Sequence, residues 1–176
     1  MVTSQAKVSA LSKNAKPPRR QSRDAIALLK ADHADVKKCF ENYQKLVIKN
    51  ASATERQALA TKICHMLTVH SQIEEEIFYP ASRELLGDDA DLVDEADVEH
   101  ACATELIAQI ESGKPDDMHF DAKVKVLGEY IDHHVKEEQD ELFPKVKDAG
   151  MDMKTIGQEL AARKAALMGD KVQKAA

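Results

Sequence analysis

The sequence predicts an all-α fold: an antiparallel up-down-up-down four-helix bundle with a disordered N-terminal tail and a short C-terminal helix. Three observations carry that prediction. Four long segments repeat apolar residues at intervals of three and four, the period of a helix face turned to a core. Those segments are rich in Ala, Leu, Glu, Lys and Gln, all good helix formers. The links between them are short, which favours antiparallel neighbours. No run alternates β-branched residues between turn signals, so no strands are expected.

Through Arg23 the chain carries Lys7, Lys13, Lys16, Arg19, Arg20 and Arg23 and no acid, with Pro17-Pro18 among polar residues. Residues 1–22 are therefore expected to be a disordered basic tail. They lack the continuous apolar run of a secretory signal. The bundle is expected over 23–148. Its first helix, near 23–49, places Ile26, Leu29, His33, Val36 and Phe40 on one stripe. Asn50-Ala-Ser52-Ala breaks it, and Ser52 with Glu55 forms a capping box for the second helix. That helix aligns Leu59, Ile63, Met66, His70, Glu74 and Ile77, and Pro80 is expected to kink or end it. Gly87-Asp-Asp closes the segment.

The third helix, near 89–112, spaces Val93, Ala96, His100, Ala103, Ile107 and Ile110 along its seam, and Gly113-Lys-Pro115 stops it. The fourth, near 117–147, carries Phe120, Lys123 or Val124, Leu127, Ile131, His134, Glu138 and Glu141 or Leu142. Residues 149–176 are expected to form a short helix, near 152–168, and a tail. Ile156, Leu160 and Leu167 give that helix one apolar side with which to dock on the outside.

A net charge of −6 argues against nucleic acid as a partner of the folded domain. No apolar stretch approaches the ~20 residues that span a bilayer. Cys39, Cys64 and Cys102 are widely spaced, form no C-x-x-C and lie within helical patterns, where a reduced thiol acts as a small hydrophobe. A cytoplasmic location fits them. With no second long apolar face, a monomer is the default, which leaves room for a protein partner.

Two stretches repeat. His70-Ser-Gln-Ile-Glu74-Glu-Glu-Ile-Phe-Tyr-Pro80 and His134-Val-Lys-Glu-Glu138-Gln-Asp-Glu-Leu-Phe-Pro144 each place a histidine four residues before a glutamate and ten before a proline. Residues four apart lie about 40° apart around a helix and ~6 Å along it, so each His–Glu pair points into one volume. His33, His70, His100 and His134 each occupy the apolar seam of a different helix, where Leu or Ile belongs. A buried carboxylate is expensive unless paired or bound to a metal. Four imidazoles and two carboxylates at one level suit two divalent ions, iron or manganese rather than four-coordinate structural zinc. His65 and His119 are expected away from the cage. His133 either supports it from outside or lies in solvent. Glu75, Glu76, Glu137, Asp140 and Glu141 read as a charged outer face.

At these residues the chain resembles the hemerythrin-like, or HHE cation-binding, family. The resemblance covers roughly 23–148 and rests on the order His, His-x-x-x-Glu, His, His-x-x-x-Glu. It implies a non-haem di-iron centre, two iron ions held by His33, His70, Glu74, His100, His134 and Glu138, with Glu74 and Glu138 as bridges; manganese is the second choice. It also implies a small diatomic or peroxide ligand. Oxygen-carrying members have a fifth histidine one turn after the third-helix one, where this chain has Thr104. That coordination position is therefore lost, or is filled by water or another side chain; Tyr43 and Tyr130 are candidates, though both read first as packing residues with the hydroxyl at the bundle rim. The expected function is binding of, or reaction with, O2, H2O2 or NO. The alternative is an iron or oxygen sensor, or an iron-handling and iron-centre-repair module without turnover.

Overall fold

Capping residues set where the first two rods begin in the computed structural model, which describes residues 24–174, with side chains through Gly169. The basic tail expected at 1–22 lies outside the described residues. Helix α1 (Ala25–Ile48) starts on Asp24, whose Oδ1 accepts from the Ala27 N–H at 2.9 Å. It ends where Asn50 adopts a left-handed φ of 49°. The capping box then opens α2: Ser52 Oγ accepts from the Glu55 N–H at 3.3 Å, and Glu55 Oε2 accepts from the Ser52 N–H at 3.1 Å. Such a cap contributes about 1 kcal/mol.

Helix α2 is one rod in three parts: Ala53–Ile73, a π-turn at Glu74–Phe78, and Tyr79–Leu86. It stops at Gly87, whose φ of 57° suits a residue without Cβ. Helix α3 is Asp91–Glu111. Helix α4 repeats the plan of α2, with Phe120–Glu137, a π-turn at Glu138–Leu142, and Phe143–Asp148. Helix α5 is Met153–Lys174, longer than the piece expected from its apolar residues.

The π-turns show that Pro80 does not end the helix, one of the two outcomes expected there. Proline lacks an N–H, and in an α-helix its ring collides with the carbonyl four residues back. Here Tyr79 N–H reaches five residues back to the Glu74 carbonyl, and Phe143 N–H likewise to Glu138. The widened turn accommodates Pro80 and Pro144 just beyond it, so both rods continue instead of breaking.

Among the described residues there are no strands. Helix α1 packs on α2 and α4, and α3 packs on the same two. His33, early in α1, meets Gln139 late in α4, while Tyr43, late in α1, meets Asp121 early in α4, so these rods run antiparallel. Helix α5 lies across α1 and α2. It buries Leu160, with Ile156 and Leu167 partly buried beside it. Arg163 donates to Glu76 at 2.9 Å, and Lys164 donates to Asp32.

The apolar interior falls into two clusters. One gathers Val36, Tyr43, Ile63, Leu67, Phe120 and Leu127 toward one end of the bundle. The other gathers Leu29, Ile73, Phe78, Val93, Phe143 and Leu160 toward the opposite end. Each fully buried side chain of this kind stabilises the fold by roughly 1.5–3 kcal/mol. Cys39 and Cys64 are buried as small hydrophobes, but Cys102 is exposed on α3. No helix among the described residues is long and apolar enough to cross a membrane.

Candidate metal centre

Between the two apolar clusters lies a polar layer. The seams of α1, α2, α3 and α4 bring His33, His70, His100 and His134 there with Glu74 and Glu138, all buried. The rings pair: His33 Nε2 and His70 Nε2 are 2.9 Å apart, and His100 Nε2 and His134 Nε2 are 3.1 Å apart. Ligands held 2.0–2.2 Å from one ion stand roughly 3–3.5 Å from each other, so each pair has the spacing of two donors on one cation.

Each carboxylate spans the pairs. Glu74 Oε2 is 3.1 Å from His70 Nε2 and 3.6 Å from His100 Nε2. Glu138 Oε2 is 3.3 Å from His33 Nε2 and 3.7 Å from His134 Nε2. Both oxygens of Glu74 and Oε2 of Glu138 are buried without a hydrogen-bond partner. Leaving such atoms unpaired is costly, and a divalent cation relieves it. Mixed imidazole and carboxylate donors fit a pair of first-row divalent ions.

The outer ring nitrogens show a second order. Asp32 of α1 faces His70 Nδ1 of α2 at 3.6 Å. Glu75 of α2 meets His100 Nδ1 of α3 at 3.0 Å, and Glu99 of α3 meets His134 Nδ1 of α4 at 2.7 Å. Gln139 of α4 closes the circuit on His33 Nδ1 of α1 at 3.0 Å. Each partner is the sequence neighbour of a cage residue on its own helix and serves the histidine of the next helix round the bundle. Partners at Nδ1 orient each ring so that Nε2 faces inward.

Without a cation the charges are in tension. Burial, joined by the charge of Glu138, holds the Glu74 carboxyl well above its usual range. Burial also opposes ionisation of Glu138, but the nearby rings of His33 and His134 outweigh it and hold that carboxyl low. Burial pushes His100 down to about 3, with His134 adding to the effect, and lowers His70 as well. At His134, burial is outweighed by the bond to Glu99 and the value rises. A neutral imidazole is the ligand form, and a cation reverses the penalty on both carboxylates.

Tyr79 is the cage residue that sequence reasoning missed. Its fully buried hydroxyl donates to Glu138 Oε1 at 3.0 Å and lies 3.2 Å from His100 Nε2. In an unbroken α-helix, residues five apart point about 140° away from each other, which would turn Tyr79 away from Glu74's side. The π-turn inserts one residue and brings both inward. Burial and the two glutamates push the Tyr79 phenol well above its usual range, so it keeps its proton. The duplicated Pro ten residues after each histidine was the available signal.

The other sequence candidates lie elsewhere. Tyr43 bonds Asp121 at 2.7 Å, outside the cage. Tyr130 is only partly buried, beside Cys102. Thr104 is exposed, because the α3 seam runs through Ala103 instead. His65 is half-buried on another face of α2, while His119, His133 and Glu141 are exposed. Glu75, expected on the outer face, is exposed yet touches His100.

One wall of the cage is open. A cavity of about 510 Å³ runs between α1 and α4, with Lys30, Lys37, Phe40 and Lys136 along it and His33 and Gln139 in its wall.

The model of the hemerythrin HHE cation-binding domain matches residues 24–146. A crystal structure of a hemerythrin HHE cation-binding domain-containing protein from Mycobacterium kansasii superposes with a TM-score of 0.71 over 86% of this chain and 91% of that one, at 20% identity. At that identity the likeness shows the fold. No curated protein matches the chain in sequence.

Proposed function

The chain belongs to the hemerythrin HHE cation-binding family, and from that premise we propose that it is a non-haem di-iron protein that binds or reacts with a small oxidant, O2, H2O2 or NO. His33 and His70 would hold one ion and His100 and His134 the other, with Glu74 and Glu138 supplying carboxylate oxygens between the two pairs. The observation that carries this reading is the set of buried, unpartnered oxygens on Glu74 and Glu138 between two imidazole pairs. Imidazole-rich donor sets with carboxylates suit iron. Two iron ions bound there supply Lewis acidity and a redox couple.

The protein's own residues do the rest. Glu75, Glu99 and Gln139 fix the rings of His100, His134 and His33 by their outer nitrogens, and Asp32 faces the outer nitrogen of His70 at 3.6 Å. Phe78 and Phe143 pack edge to face at 5.5 Å beside the layer and keep it dry on that side. Tyr79 holds a proton at its hydroxyl against Glu138, in place for an oxidant that takes up a proton as it is reduced. A small ligand has its way in along the cavity that ends at His33.

Anaerobic reconstitution with ferrous iron, elemental analysis and stopped-flow absorbance with each oxidant test the proposal. The expected result is about two irons per chain and a new visible absorption with at least one oxidant. A chain that binds no iron, or an iron-loaded chain unmoved by all three oxidants, would overturn it.

A further inference from the structure

We propose that Glu99, His133 and Glu137 form a third cation site, on the solvent side of α3 and α4, which takes a first-row divalent ion such as ferrous iron from solution and delivers it to the cage. The inference rests on reading the cage as a metal centre. His133 Nε2 stands 3.2 Å from Glu137 Oε1 and 3.9 Å from Glu99 Oε1. One donor atom from each residue lies within 4.8 Å of the other two. The set is one imidazole and two carboxylates, the same chemistry as the inner ligands, but graded in exposure. Glu99 is buried, Glu137 half-buried and His133 exposed, so the site opens to water on one side.

Two further observations separate this cluster from an ordinary charged surface. The first is charge. Arg83 serves Asp94 and Asp97, Arg56 serves Asp121 and Arg163 serves Glu76. The ion-pair partners found for Glu99 and Glu137 among the described residues are histidines alone. Two carboxylates therefore share one exposed imidazole, with Glu95 close by, and their combined negative field draws cations.

The second is connectivity. A gap of about 10 Å³ between α3 and α4 is lined by Glu95, Glu99 and Glu137, by the cage residues His134 and Glu138, and by Leu92, Ala96 and Leu142. That is room for a single water-sized body, so a hydrated ion must exchange its waters for carboxylate oxygens as it enters. Glu99 borders both compartments: Oε2 bonds His134 Nδ1 at 2.7 Å while Oε1 faces His133. An ion bound outside is thus one carboxylate away from a cage histidine.

The double variant His133→Ala with Glu137→Gln removes two outer ligands and leaves all six cage residues and Glu99 in place. Two measurements on the metal-free full chain test the proposal. In an equilibrium Co2+ titration followed by absorbance, the wild type should bind one more ion than the variant, with weaker affinity than the inner ions. In anaerobic stopped flow, ferrous loading should be about tenfold slower in the variant, the size of a local steering effect, with the same final iron content. Equal Co2+ stoichiometry in the two proteins overturns the outer site, and equal loading rates overturn its delivery role. If neither protein loads the cage, the di-iron reading falls. The difference in Co2+ uptake still decides the outer site in that case.

Discussion

The α2 and α4 repeats share a spacing, a π-turn and a proline, yet they build unlike halves of the centre. Glu74 and Glu138 occupy equivalent places and each spans one imidazole from either pair. Five residues on, the symmetry ends. Tyr79 puts a hydroxyl against Glu138, whereas Phe143 lies parallel to the His33 ring at 6.0 Å and offers no polar atom. The α2 half is covered by α5, through Lys164 on Asp32 and Arg163 on Glu76, while the α4 half borders the open cavity. A duplicated motif thus fixes where the inward-facing side chains stand, and single residues around it make the surroundings of the two halves differ.

The strongest way to break the comparison is to delete each bridge. Glu74→Ala and Glu138→Ala should each lower the iron content from about two to below one per chain, read by elemental analysis. Saturating iron should stabilise the wild type by about 4 kcal/mol at a thousandfold excess over Kd, and that gain should vanish in both variants on thermal melts. If one variant keeps both ions, the carboxylates are not equivalent.

The ring of outer partners gives the next test. Glu99→Gln replaces a carboxylate on His134 with an amide, which is what His33 already has in Gln139. Iron affinity should fall 10- to 100-fold in competition with a chelator. Gln139→Ala should have a smaller effect, because it removes only a neutral partner.

Exchanging the odd residues sharpens the contrast further. Tyr79→Phe should destabilise the metal-free chain by about 1–2 kcal/mol in urea, since Glu138 Oε1 loses its donor. It should also slow the oxidant reaction without changing iron content. Phe143→Tyr should destabilise by a similar amount through a buried hydroxyl with no partner, and it should not restore the rate in a Tyr79→Phe background.

The smallest effect concerns the cover. Glu76 is held at about 2 by its bonds to Arg163 and Gln72, below its usual 4.5. A lowered folded-state value means that the contact stabilises above about 4.5 and is lost as the pH falls toward 2. Both side chains are partly exposed, so solvent screening limits the contribution to roughly 0.5 kcal/mol. Arg163→Ala should cost about that much at pH 7 and nothing at pH 2, measured by urea melts at both values.

Much of this was legible in the sequence. Helix α3 placed Val93, Ala96, His100, Ala103, Ile107 and Ile110 inside as its period required, and the six polar seam residues meet at one level. The π-turns were not legible, because helical period assumes a constant twist and Pro80 reads locally as a stop. That error hid Tyr79. Glu75 read as surface charge, and Asp32 and Glu99 were not singled out, because each faces a histidine on a neighbouring helix and periodicity describes only one helix at a time. Their signature was a polar residue next in sequence to a seam ligand, as in Asp32-His33 and Glu99-His100.

The division of the interior into two dry ends has a mechanical consequence. Oil-like cohesion holds the top and bottom of the rods, while among the described residues the layer that parts the two buried clusters is polar. When that storey is empty, its mutual repulsions act as a wedge, and fraying should begin there and spread outward. When it is filled, the same storey becomes the rivet that makes two half-bundles behave as one.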